Sequence, residues 1–152
     1  MKSNIICLCI ALISVTQLLA YEVVIPDGTH MNSSNEYFGD QDVTSVVIGN
    51  NCYIDVWCFY GCSNIKSIVI GDSCKFVGRC FESAGDHAIV TMGYGNIPWN
   101  DLENEPDTSK HCGLQFQRSS IDVINIPCGT YEDYDKMWHR YIMPFKEPNR
   151  IV

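Results

Sequence analysis

Cysteine and histidine are the residue types here best suited to chemistry, and their spacing decides what chemistry is open to them. The chain has nine cysteines: Cys7 and Cys9, then Cys52, Cys58, Cys62, Cys74, Cys80, Cys112 and Cys128. Its histidines are His30, His87, His111 and His139. None of these makes an H-x-x-x-H or C-x-x-C pair, so the ligand spacing of a zinc site is missing, and no metal or cofactor is expected. His111 and Cys112 adjoin, which suggests a nucleophile and its base. Neighbouring side chains rarely aim at each other, however, and this pair lies in a polar stretch. Asp101, Glu103, Glu105 and Asp107 alternate like a calcium loop but lack its Gly and closing Glu, so they read as a solvated acidic loop. No phosphate loop, dinucleotide fingerprint or G-x-S-x-G is present, and no enzyme activity is expected.

The cysteines instead follow a repeat. An offset of 22 pairs Ser45 with Ser67, Val47 with Val69, Ile48 with Ile70 and Gly49 with Gly71. It also pairs Cys52 with Cys74, Cys58 with Cys80 and Phe59 with Phe81. Ile25, Ile48, Ile70, Met92 and Ile126 anchor successive units at spacings of 23, 22, 22 and 34, and Phe38 is the expected first-unit counterpart of Phe59. Each central unit opens on an alternating apolar phrase, Val43-x-x-Val46-x-Ile48 and Ile65-x-x-Ile68-x-Ile70, which predicts a short strand closed by Gly. Even spacing in the twenties predicts a solenoid, because sandwich strands recur every ~8–12 residues. One coil cannot bury its own apolar edge, so stacked coils share a core of Val46, Ile48, Phe59, Ile68, Ile70 and Phe81.

Residues 1–20 read as a signal peptide: Lys2, then an apolar run from Ile5 to Leu12, then Leu18-Leu19-Ala20. Its removal leaves nine Lys and Arg against 18 Asp and Glu, a net charge of −9. Nucleic acid is therefore not an expected partner, since phosphate binding needs clustered cations. An exported chain can carry disulfides and sugar, and Asn32-Ser33-Ser34 is an N-glycosylation sequon if the host is eukaryotic.

The phrase from Ile70 to Phe81 (IGDSCKFVGRCF), with Cys58-Phe59-Tyr60-Gly61-Cys62, resembles the BspA-like leucine-rich repeat. Ile126-Pro127-Cys128-Gly129-Thr130, with Tyr134 and Trp138, is similar to the segment that closes many such domains. The resemblance spans about residues 23 to 145. Both central units are one residue short of the family form, and the second has Ser83-Ala84 in place of Gly-Cys. It implies a secreted or cell-surface protein of a bacterium or protist, non-catalytic, that binds proteins or mediates adhesion.

The expected architecture is a short right-handed leucine-rich-repeat solenoid, its parallel β strands stacked at a ~22-residue period. The domain covers 21–145, with units near 23–42, 43–64, 65–86 and 87–120 and a closing strand over 121–127. A C-terminal capping helix is predicted over 131–145, started by a capping box of Thr130 and Asp133, and a polar tail follows over 146–152. Cys52 stacked on Cys74 and Cys58 on Cys80 read as buried, reduced ladders, since in-register side chains point the same way and a disulfide needs a torsion near ±90°. Cys62, Cys112 and Cys128 fall outside the ladders, and a Cys112–Cys128 disulfide would staple the long last unit to the closing strand.

Two features stand out for a partner. Alternation sends Val47, Val69, Thr91 and Asn125 outward as one column, with Ser45, Ser67, Ile89 and Val123 beside it. That stripe is either a contact surface or plain β-branched packing across strands. Trp99 sits in the twelve-residue excess of the last unit, as a contact anchor or as a cover for the core. The expected partner is an unknown surface or extracellular protein, with self-association of a degenerate repeat fragment as the competing reading.

Overall fold

The computed structural model describes residues 20–32, 37–76, 79–96, 116, 118–138 and 145–146. The strands stack in parallel as a β-solenoid of about three turns. Its main sheet has six strands, four that bound the regular turns and two that extend the sheet after the 34-residue spacing. These are β1 (Tyr21–Ile25), β3 (Val43–Ile48), β5 (Ser67–Ile70), β7 (Ala88–Met92), β8 (Ile121–Asn125) and β9 (Phe145–Lys146), side by side in that order. The pairing Val23–Val46–Ile68–Val90–Ile124 runs straight across five of them, reproducing the spacings of 23, 22, 22 and 34.

A second sheet was not foreseen. β2 (His30–Met31), β4 (Tyr53–Ile54) and β6 (Lys75–Phe76) pair in parallel at the same offsets. Two residues are too few to show alternation, so these strands leave no pattern in the sequence. Ile54 and Phe76 nevertheless point inward and are buried, giving each central coil a second wall.

Between the walls the core is built in columns. Val46, Ile48, Ile68 and Ile70 are buried, and Phe59 and Phe81 have no exposed surface. Tyr37, Phe59, Phe81 and Phe116 stack ring on ring with centroids 5.3, 5.0 and 5.4 Å apart, within the range of favourable aromatic pairs. The first-coil partner of Phe59 is thus Tyr37, not Phe38. The two adjoin, and only a ring pointing inward can join the stack; Phe38 points out and stacks on Tyr60 instead.

The corner after each main strand is the tightest part of the coil. Gly28, Asn51, Ser73, Gly95 and Gly129 all take left-handed backbone there, with φ between +56° and +80°. Asp27 Oδ1 accepts the Asn50 N–H at 2.8 Å, Asn50 Oδ1 accepts the Asp72 N–H at 2.8 Å, and Asp72 Oδ1 accepts the Tyr94 N–H at 2.7 Å. Backbone bonds return the other way, from Gly28 N to Asn50 O, Asn51 N to Asp72 O and Ser73 N to Tyr94 O. Each corner is thereby tied to the next in both directions.

This interlock demands glycine one residue earlier. A Cβ on Gly71 would lie 2.6 Å from the Gly49 carbonyl carbon, and one on Gly93 would lie 2.6 Å from that of Gly71. Each of these glycines also donates its N–H to the preceding coil, Gly49 to Ile25 O, Gly71 to Ile48 O and Gly93 to Ile70 O. Pro26 holds the same place in the first coil, at the edge of the sheet, where a residue without an N–H is tolerated. Pro127 opens an equivalent turn in the last: Thr29 and Thr130 each donate N–H and Oγ1–H to the proline carbonyl three residues back.

The C-terminal part departs from expectation. Helix α1 covers Tyr131–Trp138, and the chain is back in the sheet at Phe145–Lys146, where a helix end and a polar tail were expected. Phe145 pairs with Ile124 at a spacing of 21, one further coil. The capping box is not formed either. Thr130 Oγ1 turns back to Pro127 O, and the Thr130 carbonyl takes the first helical N–H groups, from Asp133 and Tyr134. Tyr134 is buried against the core, while Tyr141 lies outside the described residues.

Because backbone atoms receive the Cβ, Gly71→Ala should destabilise the fold by about 1–3 kcal/mol, the usual cost of overpacking. Urea unfolding followed by far-UV circular dichroism checks this; a midpoint equal to that of the parent would mean that the corners do not approach so closely.

Candidate contact face and corner cleft

The main sheet has an inward and an outward face. Its outward columns contain those expected from alternation, Val47–Val69–Thr91–Asn125 and Ser45–Ser67–Ile89–Val123, each extended by a first-coil residue, Val24 and Glu22. Val24 is 61% exposed, Ile89 48% and Val69 38%, while Val47 and Val123 are half-buried between their neighbours. Thr91 is exposed and Asn125 half-buried. The apolar side chains are thus contiguous in space and not scattered. Exposed ion pairs stand near the strand starts, Lys66 with Asp86 and His87 with Asp122. The Lys66 ammonium holds the Asp86 carboxyl below its ordinary range, and the Asp122 carboxylate, accepting from the His87 ring, raises the His87 imidazole.

Five of the described cysteines lie inside. Cys52, Cys58, Cys62, Cys74 and Cys80 are buried thiols. Their role is partly polar. Cys52 Sγ donates to Pro26 O at 3.1 Å and Cys74 Sγ to Gly49 O at 3.0 Å, in each case the corner carbonyl of the preceding coil. The third rung of that column is Asn96, fully buried, whose Nδ2 donates to Gly71 O while its Oδ1 accepts from the Cys74 N–H. A donor is what the position needs, and Cys supplies one at small volume. Cys62, expected outside the ladder, is also a core thiol, with Sγ 2.8 Å from Tyr37 O. The preceding Gly61 holds left-handed backbone.

Cys128 is exposed, but Cys112 lies outside the described residues, and the disulfide expected between them falls there too. Trp99, His111 and the acidic run from Asp101 to Asp107 are likewise outside. Asn32 is exposed at the end of the described segment, with the rest of its sequon beyond. No group of three or more His, Cys, Asp or Glu is placed to hold a metal among the described residues. No described helix is long and apolar enough to cross a membrane.

A concavity away from the sheet was not foreseen. An open cleft of about 370 Å³ is lined by Phe38, Trp57, Tyr60, Arg79, Glu82 and Arg118. Glu82 is the buried charge in it, only 4% exposed. Its partners are distant in sequence or ordinary in context, so only the offset of 22 linking Phe38, Tyr60 and Glu82 could have pointed to it. No family model, curated protein or solved structure matches this chain.

Burial pushes the thiols of Cys58, Cys62 and Cys74 from 9.0 up to about 11, and that of Cys80 well above its usual value. The folded state therefore favours the protonated form. The stability this represents is present below pH 9.0, where unfolded thiols begin to ionise, and is lost as pH rises toward 11. The urea midpoint should fall across that window, and less steeply in Cys74→Ser, which keeps a donor without a thiol. A midpoint equally steep in both would assign the alkaline loss to other groups.

Proposed function

We propose that this chain is a non-catalytic, secreted or cell-surface leucine-rich-repeat protein of the BspA-like type, whose outward sheet face binds a protein partner in adhesion or a related interaction. The observation that carries the reading is the outward apolar stripe around Val24, Val47, Val69 and Ile89, unusually apolar for a solvated sheet. A parallel sheet ordinarily has both faces covered, so an exposed one invites a cover. The repeat phrases fall on the paired strands, which favours the leucine-rich type. Helix α1, packed through Tyr134, serves as the C-terminal cap, as terminal units of repeat arrays require. The signal-like segment at residues 1–20 favours export.

Val47→Lys combined with Val69→Lys places two charges on the stripe and leaves the core untouched. The double variant should keep the parent circular dichroism and urea midpoint, yet lose at least about tenfold in affinity for a surface protein captured by the parent chain. Equal capture by both proteins would remove the face from the interface. Concentration-dependent self-assembly in sedimentation, with no other partner retained, would replace adhesion with self-association.

A further inference from the structure

The cleft beside the aromatic column has the composition of a binding site for a small neutral ligand. Positions 38, 60 and 82 are equivalent in three successive coils. The first two are Phe38 and Tyr60, stacked with centroids 4.8 Å apart and planes 12° from parallel, with Phe38 49% exposed. The third is Glu82, whose carboxylate lies between two guanidiniums: Arg79 Nε is 3.7 Å from Oε2 and Arg118 Nη1 is 3.8 Å from Oε1. Both distances exceed a hydrogen bond, and neither Glu82 Oε2 nor Arg79 Nε has a hydrogen-bonding partner. These two buried atoms face each other across a 3.7 Å gap without closing it to a hydrogen bond, which calls for an explanation. Trp57 stands at the equivalent position to Arg79 one coil earlier, 40% exposed, and both hold left-handed backbone, with φ of +62° and +65°. Bulky residues seldom adopt that backbone, and such strain concentrates where side chains are held for a ligand.

We propose that this cleft binds a neutral carbohydrate. A cation would meet two guanidiniums. An anion reaching both arginines would lie against the carboxylate between them. A wholly apolar ligand would dry the site and leave the Glu82 carboxylate without a hydrogen bond from either arginine. Hydroxyl groups both donate and accept, so a sugar can bridge Glu82 Oε1 and the exposed Arg118 guanidinium, which lie 3.8 Å apart. Its C–H face then lies on the exposed Phe38–Tyr60 slab, with Trp57 at the side. Aromatic lining with a few convergent polar groups is the usual make-up of a small-ligand site.

This site is separate from the sheet face, and its failure would leave the protein-binding reading intact. The test is calorimetric titration of the intact protein with cellotriose, chitotriose and mannotriose, with a sulfated heparin disaccharide as the anionic control. At least one neutral trisaccharide should bind saturably. Arg118→Ala, which removes an exposed side chain, and Phe38→Ala should each weaken binding about tenfold with unchanged circular dichroism. Val47→Lys with Val69→Lys should leave the affinity as it was. Three results would each overturn the proposal: no saturable binding of a neutral sugar up to about 10 mM, binding by the sulfated sugar alone, or affinity untouched by both cleft variants.

Discussion

The corner where one coil rests on the next is the constraint from which the remaining geometry follows. Asp27, Asn50 and Asp72 each place a carboxylate or amide oxygen on the N–H of the equivalent residue one coil on. The adjoining residue returns a backbone bond to that same coil. A corner of irregular backbone has no ladder of its own, and its buried polar groups must be satisfied somewhere. Here they are satisfied between coils. That brings the backbones close enough to exclude a Cβ at Gly49, Gly71 and Gly93, and it sets the pitch for everything attached to them.

Several features that seem unrelated follow from this pitch. The aromatic column of Tyr37, Phe59, Phe81 and Phe116 is stacked because the corners hold successive coils in register. The thiols of Cys52 and Cys74 and the amide of Asn96 stand where the corner carbonyls need donors. In a repeat array each unit contacts only its neighbours, so stability is a sum of such interfaces. The same pitch lines up the outward side chains. Val24, Val47 and Val69 form a continuous stripe only because their coils are in register, and the same holds for Phe38, Tyr60 and Glu82 at the cleft.

Much of this could be read from the residues, and the boundary has physical causes. The main-strand register was legible because Ile25, Ile48, Ile70 and Met92 recur with β-branched neighbours, and burial on one face fixes register strongly. The outward columns followed by alternation alone. The second sheet was not legible, because two-residue strands carry no alternation. Tyr37 and Phe38 are adjacent aromatics, and only packing decides which one faces in. The repeat sets Cys62 apart because its counterpart at the offset of 22 is Ala84, which hides a shared buried position. The sequence overstates the helix because an apolar pattern at helical spacing continues past Trp138, whereas Phe145–Lys146 gains a strand partner in β8. The cleft was missed because Arg118 meets Glu82 across the irregular last coil, where no period relates them.

If the corners carry the fold, their amides must be as hard to open as the strands. Native-state hydrogen exchange by nuclear magnetic resonance reads this directly at Asn50, Asp72 and Tyr94, which lie in turns and are exposed as whole residues. Protection of those three amides equal to that of Ile68 and Val69 in the main sheet is the predicted result. Exchange at the rate of an open loop, with only the strands protected, would contradict it.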